Sequence, residues 1–131
     1  MINKIFKSEK GQALVELAFI LPILLMIVFG ITEFGRVFGT QLILANSARD
    51  ATRYASVGAT DLEIINRIEG SSTVLDSTKL NISISPSDTS RVRGEAVTVK
   101  IQYPVDIYAP VISNIIGDPF IAKGEAIMRM E

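Results

Sequence analysis

From Leu17 to Ile31 the chain carries no charged side chain. An apolar stretch of that length must sit in a protein core or in lipid, and its dimensions favour lipid. Counted from Ala13 to Thr32, with Glu16 as its one charge, it holds about 20 residues, which at 1.5 Å per residue match a hydrocarbon layer of about 30 Å. A secretory signal peptide has a basic head, an apolar stretch of about 7 to 15 residues, at whose upper edge Leu17–Ile31 falls, and small residues at its cut. Here the run is followed by Thr32-Glu33-Phe34-Gly35-Arg36, which offers no small-x-small pair. The expectation is a retained membrane helix. With 131 residues in all, the chain has room beyond that helix for one small domain and not for two.

The second constraint is the carboxylate at the mouth of the span. An ionised side chain at the centre of a bilayer costs about 2.5 to 3.5 kcal/mol on translocon-derived scales, so Glu16 among Ala, Leu and Val needs a partner. Before it stand Lys4, Lys7, Lys10 and Gly11. Gly11, four residues and Glu16 resemble the processing site of type IV prepilins, in which a membrane peptidase cuts after the glycine. Residues 1–11 would then be a leader and Gln12 the new amino terminus. Glu16 would answer the freed ammonium of its own or a neighbouring subunit.

The resemblance narrows further along. The stretch Gly11-Gln-Ala-Leu-Val-Glu16-Leu-Ala-Phe-Ile-Leu-Pro22, then Glu33-Phe-Gly35-Arg36, then Ala48-Arg49-Asp-Ala-Thr-Arg53-Tyr54-Ala55, is similar to the TadE-like family, small pseudopilins of tight-adherence pilus systems. It implies a minor pilin-like subunit for assembly of a thin adhesive pilus or a related secretion machine. Its implied partners are a prepilin peptidase, other pilin-like subunits, the pilus assembly platform and the lipid bilayer. The implied site residues are Gly11 and Gln12 at the cut, Glu16 as charge partner, and the motif positions Glu33, Gly35, Arg36, Ala48, Arg49, Arg53 and Tyr54.

Lysines before the span favour a cytoplasmic amino terminus and an extracytoplasmic head, because Lys and Arg collect on the cytoplasmic side. Arg36, Arg49 and Arg53 on the far side weaken that contrast. A net charge of −1 gives no electrostatic reason to expect nucleic acid. The chain has neither Cys nor His, so a thiolate metal site and a His-based nucleophile relay are ruled out. Asp61, Glu63, Glu69, Asp76 and Asp88 lack the spacing of a calcium loop and are expected in solvent. No catalytic residue, metal or cofactor is expected.

Pro22 lies inside the span, where it frees the carbonyl of Ala18 and pushes the helix toward a kink. Two readings stand: a tolerated membrane proline, or a kink that sets how helices pack. Gly35 and Gly39 form a G-x-x-x-G, a spacing that marks dimer faces in membranes, although this copy straddles the boundary and contains Arg36. Helical spacing continues through Phe38, Leu42, Ala45, Ala48, Thr52 and Ala55, with Gln41, Asn46, Asp50 and Arg53 opposite. One helix from Gln12 to Ser56 is expected, spanning the membrane over 12–36 and extending beyond it over 37–57, with Gly58 as its stop.

Residues 58–131 read as a small α+β head: a helix Leu62 to Ile68 capped by Thr60 or Asp61 and ended by Gly70, then alternating strands over Leu80–Ser85 and Val97–Val105. A third strand is expected over Phe120–Met130. The loop from Pro86 to Gly94 is expected exposed and basic at one end. Pro104 and Pro110 are expected to end the second strand and start a surface excursion. The fold class is thus α+β, a long amino-terminal helix with a small antiparallel sheet on its carboxy-terminal half. Three accounts compete: a processed pilin-like subunit, a permanently anchored envelope binding protein, and, remotely, a small hydrolase.

Overall fold

The computed structural model describes the backbone from Glu9 and the side chains from Gly11 to Glu131. Residues 1–8 of the expected leader, with Lys4 and Lys7, and the side chain of Lys10 lie outside the described residues. Helix α1 runs unbroken over Glu9–Ser56, passing through Pro22. Its most apolar 18 residues have a mean hydropathy of 2.7, and none of that window is buried against the rest of the protein. Among the described residues it is one helix long and apolar enough to cross a membrane, which fits a single-pass membrane protein.

The helix ends where the sequence supplies glycine. Gly58 takes φ +93°, a left-handed geometry that costs other residues a Cβ clash. Its N–H reaches the Ala55 carbonyl at 3.1 Å, while the Ala59 N–H turns back to Tyr54 at 3.2 Å, so the last carbonyls are satisfied. Helix α2 (Asp61–Ser71) starts at once, with Thr60 as its cap. The Thr60 hydroxyl accepts from the Glu63 N–H, and the Glu63 carboxylate accepts from the Thr60 N–H at 2.8 Å, a reciprocal capping box. Gly70, expected as the stop, is inside α2, which closes two residues later at Ser72.

The sheet is antiparallel in the order β1 (Asn81–Ser85), β2 (Ala96–Val105), β3 (Phe120–Arg129). Alternation assigns its faces: Val97, Val99 and Ile101 are buried against α1, with Ile82 and Ile84 of β1 beside them in register. The other face, bearing Lys100, Glu125 and Ile127, meets solvent, as one-sided antiparallel sheets do. β2 runs on through Pro104 to Val105, the end expected from the alternation. The β1 pairing starts at Asn81 opposite Gln102, so Pro104 lies where one edge of β2 is open and a missing N–H is tolerated. The excursion after it contains a short helix α3 (Pro110–Ile116), with proline in its first turn.

The face of α1 that receives the sheet is Val37, Leu44, Ala48, Ala51, Thr52 and Ala55, all buried. Phe38 and Leu42 are 67% and 63% exposed, so the expected stripe is correct from Ala48 onward and one residue out of phase before it. Ala45 is half-buried between the two faces. β3 answers with small residues, Ala122, Gly124 and Ala126, on the side facing the helix. At Gly124 the approach is closest: a Cβ there would lie 2.3 Å from the Leu44 carbonyl oxygen and 2.9 Å from the Ala45 nitrogen. Narrow side chains on both elements therefore let helix and sheet meet backbone to backbone.

Candidate functional site

The amino-terminal residues form one helical face. Gly11 and Gln12 lie among the first four described residues of α1. The Gln12 side-chain amide approaches the Glu16 carboxylate at 3.5 Å, one turn apart. Glu16 is exposed, as are Leu14, Leu17 and Phe19 around it. Among the described residues, the partner of this carboxylate is thus a neutral amide.

The motif positions beyond the span separate into two sets. Glu33 is only 5% exposed and sits between α1 and the strand β2 exit. Its carboxylate accepts from Arg36 Nη1 at 3.3 Å and from the backbone N–H of Tyr108 at 3.2 Å. Arg36 in turn donates to the Asp106 carbonyl at 2.7 Å and lies over the Tyr108 ring, 4.5 Å from its centroid. A buried carboxylate is tolerable with such charge-assisted bonds. The pair therefore clips the 106–108 segment to the helix just beyond the apolar run. Lys79 adds a salt bridge to Asp106 at 3.6 Å. Gly35 and Gly39 line a cleft of about 420 Å³ beside this clip, and a Cβ at either would meet nothing within 4 Å.

Ala48 is fully buried under the sheet. Tyr54 and Asp50 hold Arg67 of α2: the guanidinium is 4.6 Å from the Tyr54 centroid and 2.8 Å from Asp50, which raises the Arg67 pKa above its ordinary value by hydrogen bonding and then by charge. Arg49 and Arg53 are exposed and one turn apart. They continue the outer face of α1 begun by Phe34, Phe38 and Leu42, where Phe34 and Phe38 stack at 6.2 Å. So the motif positions Glu33, Arg36, Ala48 and Tyr54 hold the head on the helix, while Arg49 and Arg53 face outward.

Residues 11–53 match the family model described as TadE-like protein. This TadE-like segment covers α1 from Gly11 nearly to its end and stops before the sheet. No curated protein and no solved structure matches the chain. The head, residues 58–131, is thus described by its own geometry.

Three contacts were not legible as such in the sequence. Gln41, expected to face away from the sheet, uses its side-chain amide as a two-way clamp on the β3 edge, donating to the Lys123 carbonyl at 3.0 Å and accepting from the Lys123 N–H at 3.3 Å. An edge strand has such unpaired groups to satisfy. Arg91, expected in an exposed loop, has a side chain only 3% exposed; it donates to the Pro86 and Ala59 carbonyls and pairs with Asp61. Asp61 and Asp88 also exchange hydrogen bonds with each other's backbone N–H at 3.3 Å, so both carboxylates serve the α1–α2 corner. Tyr108 carried no signal, whereas Ala122-x-Gly124-x-Ala126 was a readable stripe of small residues on one strand face.

Proposed function

We propose that the protein is a processed pilin-like subunit of a tight-adherence type IV pilus or a related secretion machine, cut after Gly11 and packed through α1. The observation that carries this reading is the uncovered outer face of the TadE-like helix: Phe34, Phe38 and Leu42 extend the apolar surface of the span beyond the bilayer, on the side away from the sheet. Helices of neighbouring pilin-like subunits would cover it, with Arg49 and Arg53 meeting acidic groups at its outer end. Glu16 would pair with the ammonium exposed at Gln12 of its own or an adjacent subunit. The head would project outside the cytoplasm, following the lysines before the span. The role is structural and asks for no catalytic group or cofactor. A prepilin peptidase and an assembly platform would be the partners in its maturation.

Intact mass of the protein from cells with and without a prepilin peptidase tests the reading. Loss of residues 1–11 only when the peptidase is present is expected. A full-length mass in both would favour a permanently anchored binding protein. Glu16→Ala is expected to be cut normally and to assemble poorly, since the new amino terminus then lacks its countercharge.

A further inference from the structure

The excursion between β2 and β3 hangs beside the span rather than above it. Its start is fastened to α1 at Glu33 and Arg36, within a turn of Thr32, the last residue of the apolar run. Its ends are tied together by the Ile107 N–H donating to the Asp118 carboxylate at 3.1 Å. Between them α3 approaches α1 at Ile112: a Cβ on Gly30 would meet the Ile112 Cδ1 at 4.0 Å. Gly30 lies two residues inside the apolar run, about 3 Å below its edge at 1.5 Å per residue. With α1 spanning the membrane up to Thr32, Ile112 of α3 would be level with the edge of the lipid.

Its side chains fit that level. Ile112 and Ile116, one turn apart, pack inward on the core, while Val111 and Ile115, also one turn apart, point outward with 54% and 77% exposure. Tyr108, 75% exposed, stands at the start of the same segment, and no charged residue occurs from Ile107 to Gly117. Asn114 and Ser113 are the polar groups of the helix, and Ser113 bonds its hydroxyl to the Pro110 carbonyl at 2.9 Å. A short helix that is apolar on both sides is poorly suited to a free surface. Aromatic rings with a polar tip collect at the headgroup level, as Tyr108 would here beneath the Arg36 guanidinium.

We infer that the Tyr108–Ile116 segment is a second membrane contact, seated in the headgroup and upper acyl region of the leaflet on the head's side, with Val111 and Ile115 in lipid. Interfacial helices bury their apolar face about 5 to 10 Å into this layer, and Ile112 beside Gly30 lies in its upper part, about 3 Å below the edge of the apolar run. The inference rests on α1 spanning the membrane, and it adds that the head is held against the bilayer rather than swinging free of it. Release into a filament would then require α3 to leave lipid as well as α1.

The chain has no cysteine, so single-cysteine variants report position directly. Ile115→Cys, Ile27→Cys in the span and Val92→Cys in the β1–β2 loop are labelled with a small environment-sensitive fluorophore in the full chain. Each is reconstituted in phosphatidylcholine vesicles, with iodide on both sides or with lipids carrying a nitroxide high on the acyl chain. The expected result is loss of iodide quenching and gain of lipid quenching at Ile115, as at Ile27 and opposite to Val92. Iodide quenching at Ile115 like that at Val92, with Ile27 protected, would overturn the inference and leave the span intact. Ile115 shielded from both quenchers would overturn it in favour of a protein neighbour. Ile27 open to iodide would remove the spanning reading beneath it.

Discussion

Replacing Gly124 by alanine adds one methyl group at the point where β3 lies closest to α1. That Cβ would sit 2.3 Å from the Leu44 carbonyl oxygen and 2.4 Å from its carbonyl carbon. Ordinary contact is about 3.5 Å between such atoms, so the two elements must separate by about 1 Å. Neither partner is a side chain that can turn aside. A gap of that size forfeits about a quarter to a half of the dispersion attraction of the atoms it parts, here those of Leu44, Ala48, Ile101 and Ala122. Overpacking commonly costs about 1 to 3 kcal/mol, and a backbone-to-backbone clash belongs at the upper end, about 3 kcal/mol. For a domain of this size that lowers Tm by about 12 to 24 °C. Tyr54, Tyr103 and Tyr108 are the chain's tyrosines and it has no Trp, so near-UV circular dichroism in detergent follows the head, not the span. Gly70→Ala is the control: a Cβ there meets nothing within 4 Å, and alanine inside α2 should raise stability by about 0.8 kcal/mol. A Gly124→Ala melt coincident with that of the unchanged protein would refute the close-packing argument.

Other expected outcomes follow from the same contacts. Arg91→Met keeps the bulk but leaves the Ala59 and Pro86 carbonyls without their donor and Asp61 without its cation; because Asp61 is partly exposed the loss should be about 2 kcal/mol, read as a lower Tm. Glu33→Ala should leave the Tyr108 N–H without an acceptor at a local cost of about 2 kcal/mol, so that its amide exchanges about thirtyfold faster, and unchanged exchange would count against the clip. Thr60→Ala should cost about 1 kcal/mol through loss of the helix cap. The Glu63 carboxyl is held below its ordinary pKa by the Thr60 backbone N–H and then by the Thr60 hydroxyl. Its folded value is below its unfolded one, so the stability it adds is present above the unfolded value and disappears as pH falls through the folded one. The Tm difference between the unchanged protein and Glu63→Gln should therefore be seen at neutral pH and close in acid.

The sequence by itself determined a helix long and apolar enough to cross a membrane, because hydropathy over a bilayer thickness depends on composition and not on neighbours. It also determined the stop at Gly58, a cap at Thr60 or Asp61 and the strand alternation, which rest on local backbone chemistry and a period of two. The TadE-like motif was legible as a pattern from Gly11 to Tyr54, yet the pattern did not say what each position does. That division was decided in three dimensions. Which side of α1 receives the sheet depends on a close approach that only Gly124 permits, and that approach turns Val37 and Leu44 inward and Phe38 and Leu42 outward. Local spacing could not distinguish these neighbouring phases, since both are apolar at helical period. The Tyr108 partner of Glu33, the Lys123 partner of Gln41 and the Ala59 partner of Arg91 are likewise long-range, 75, 82 and 32 positions away. Hydrogen bonds across such loops exist only after the chain has closed, and no local preference of the residues specifies them.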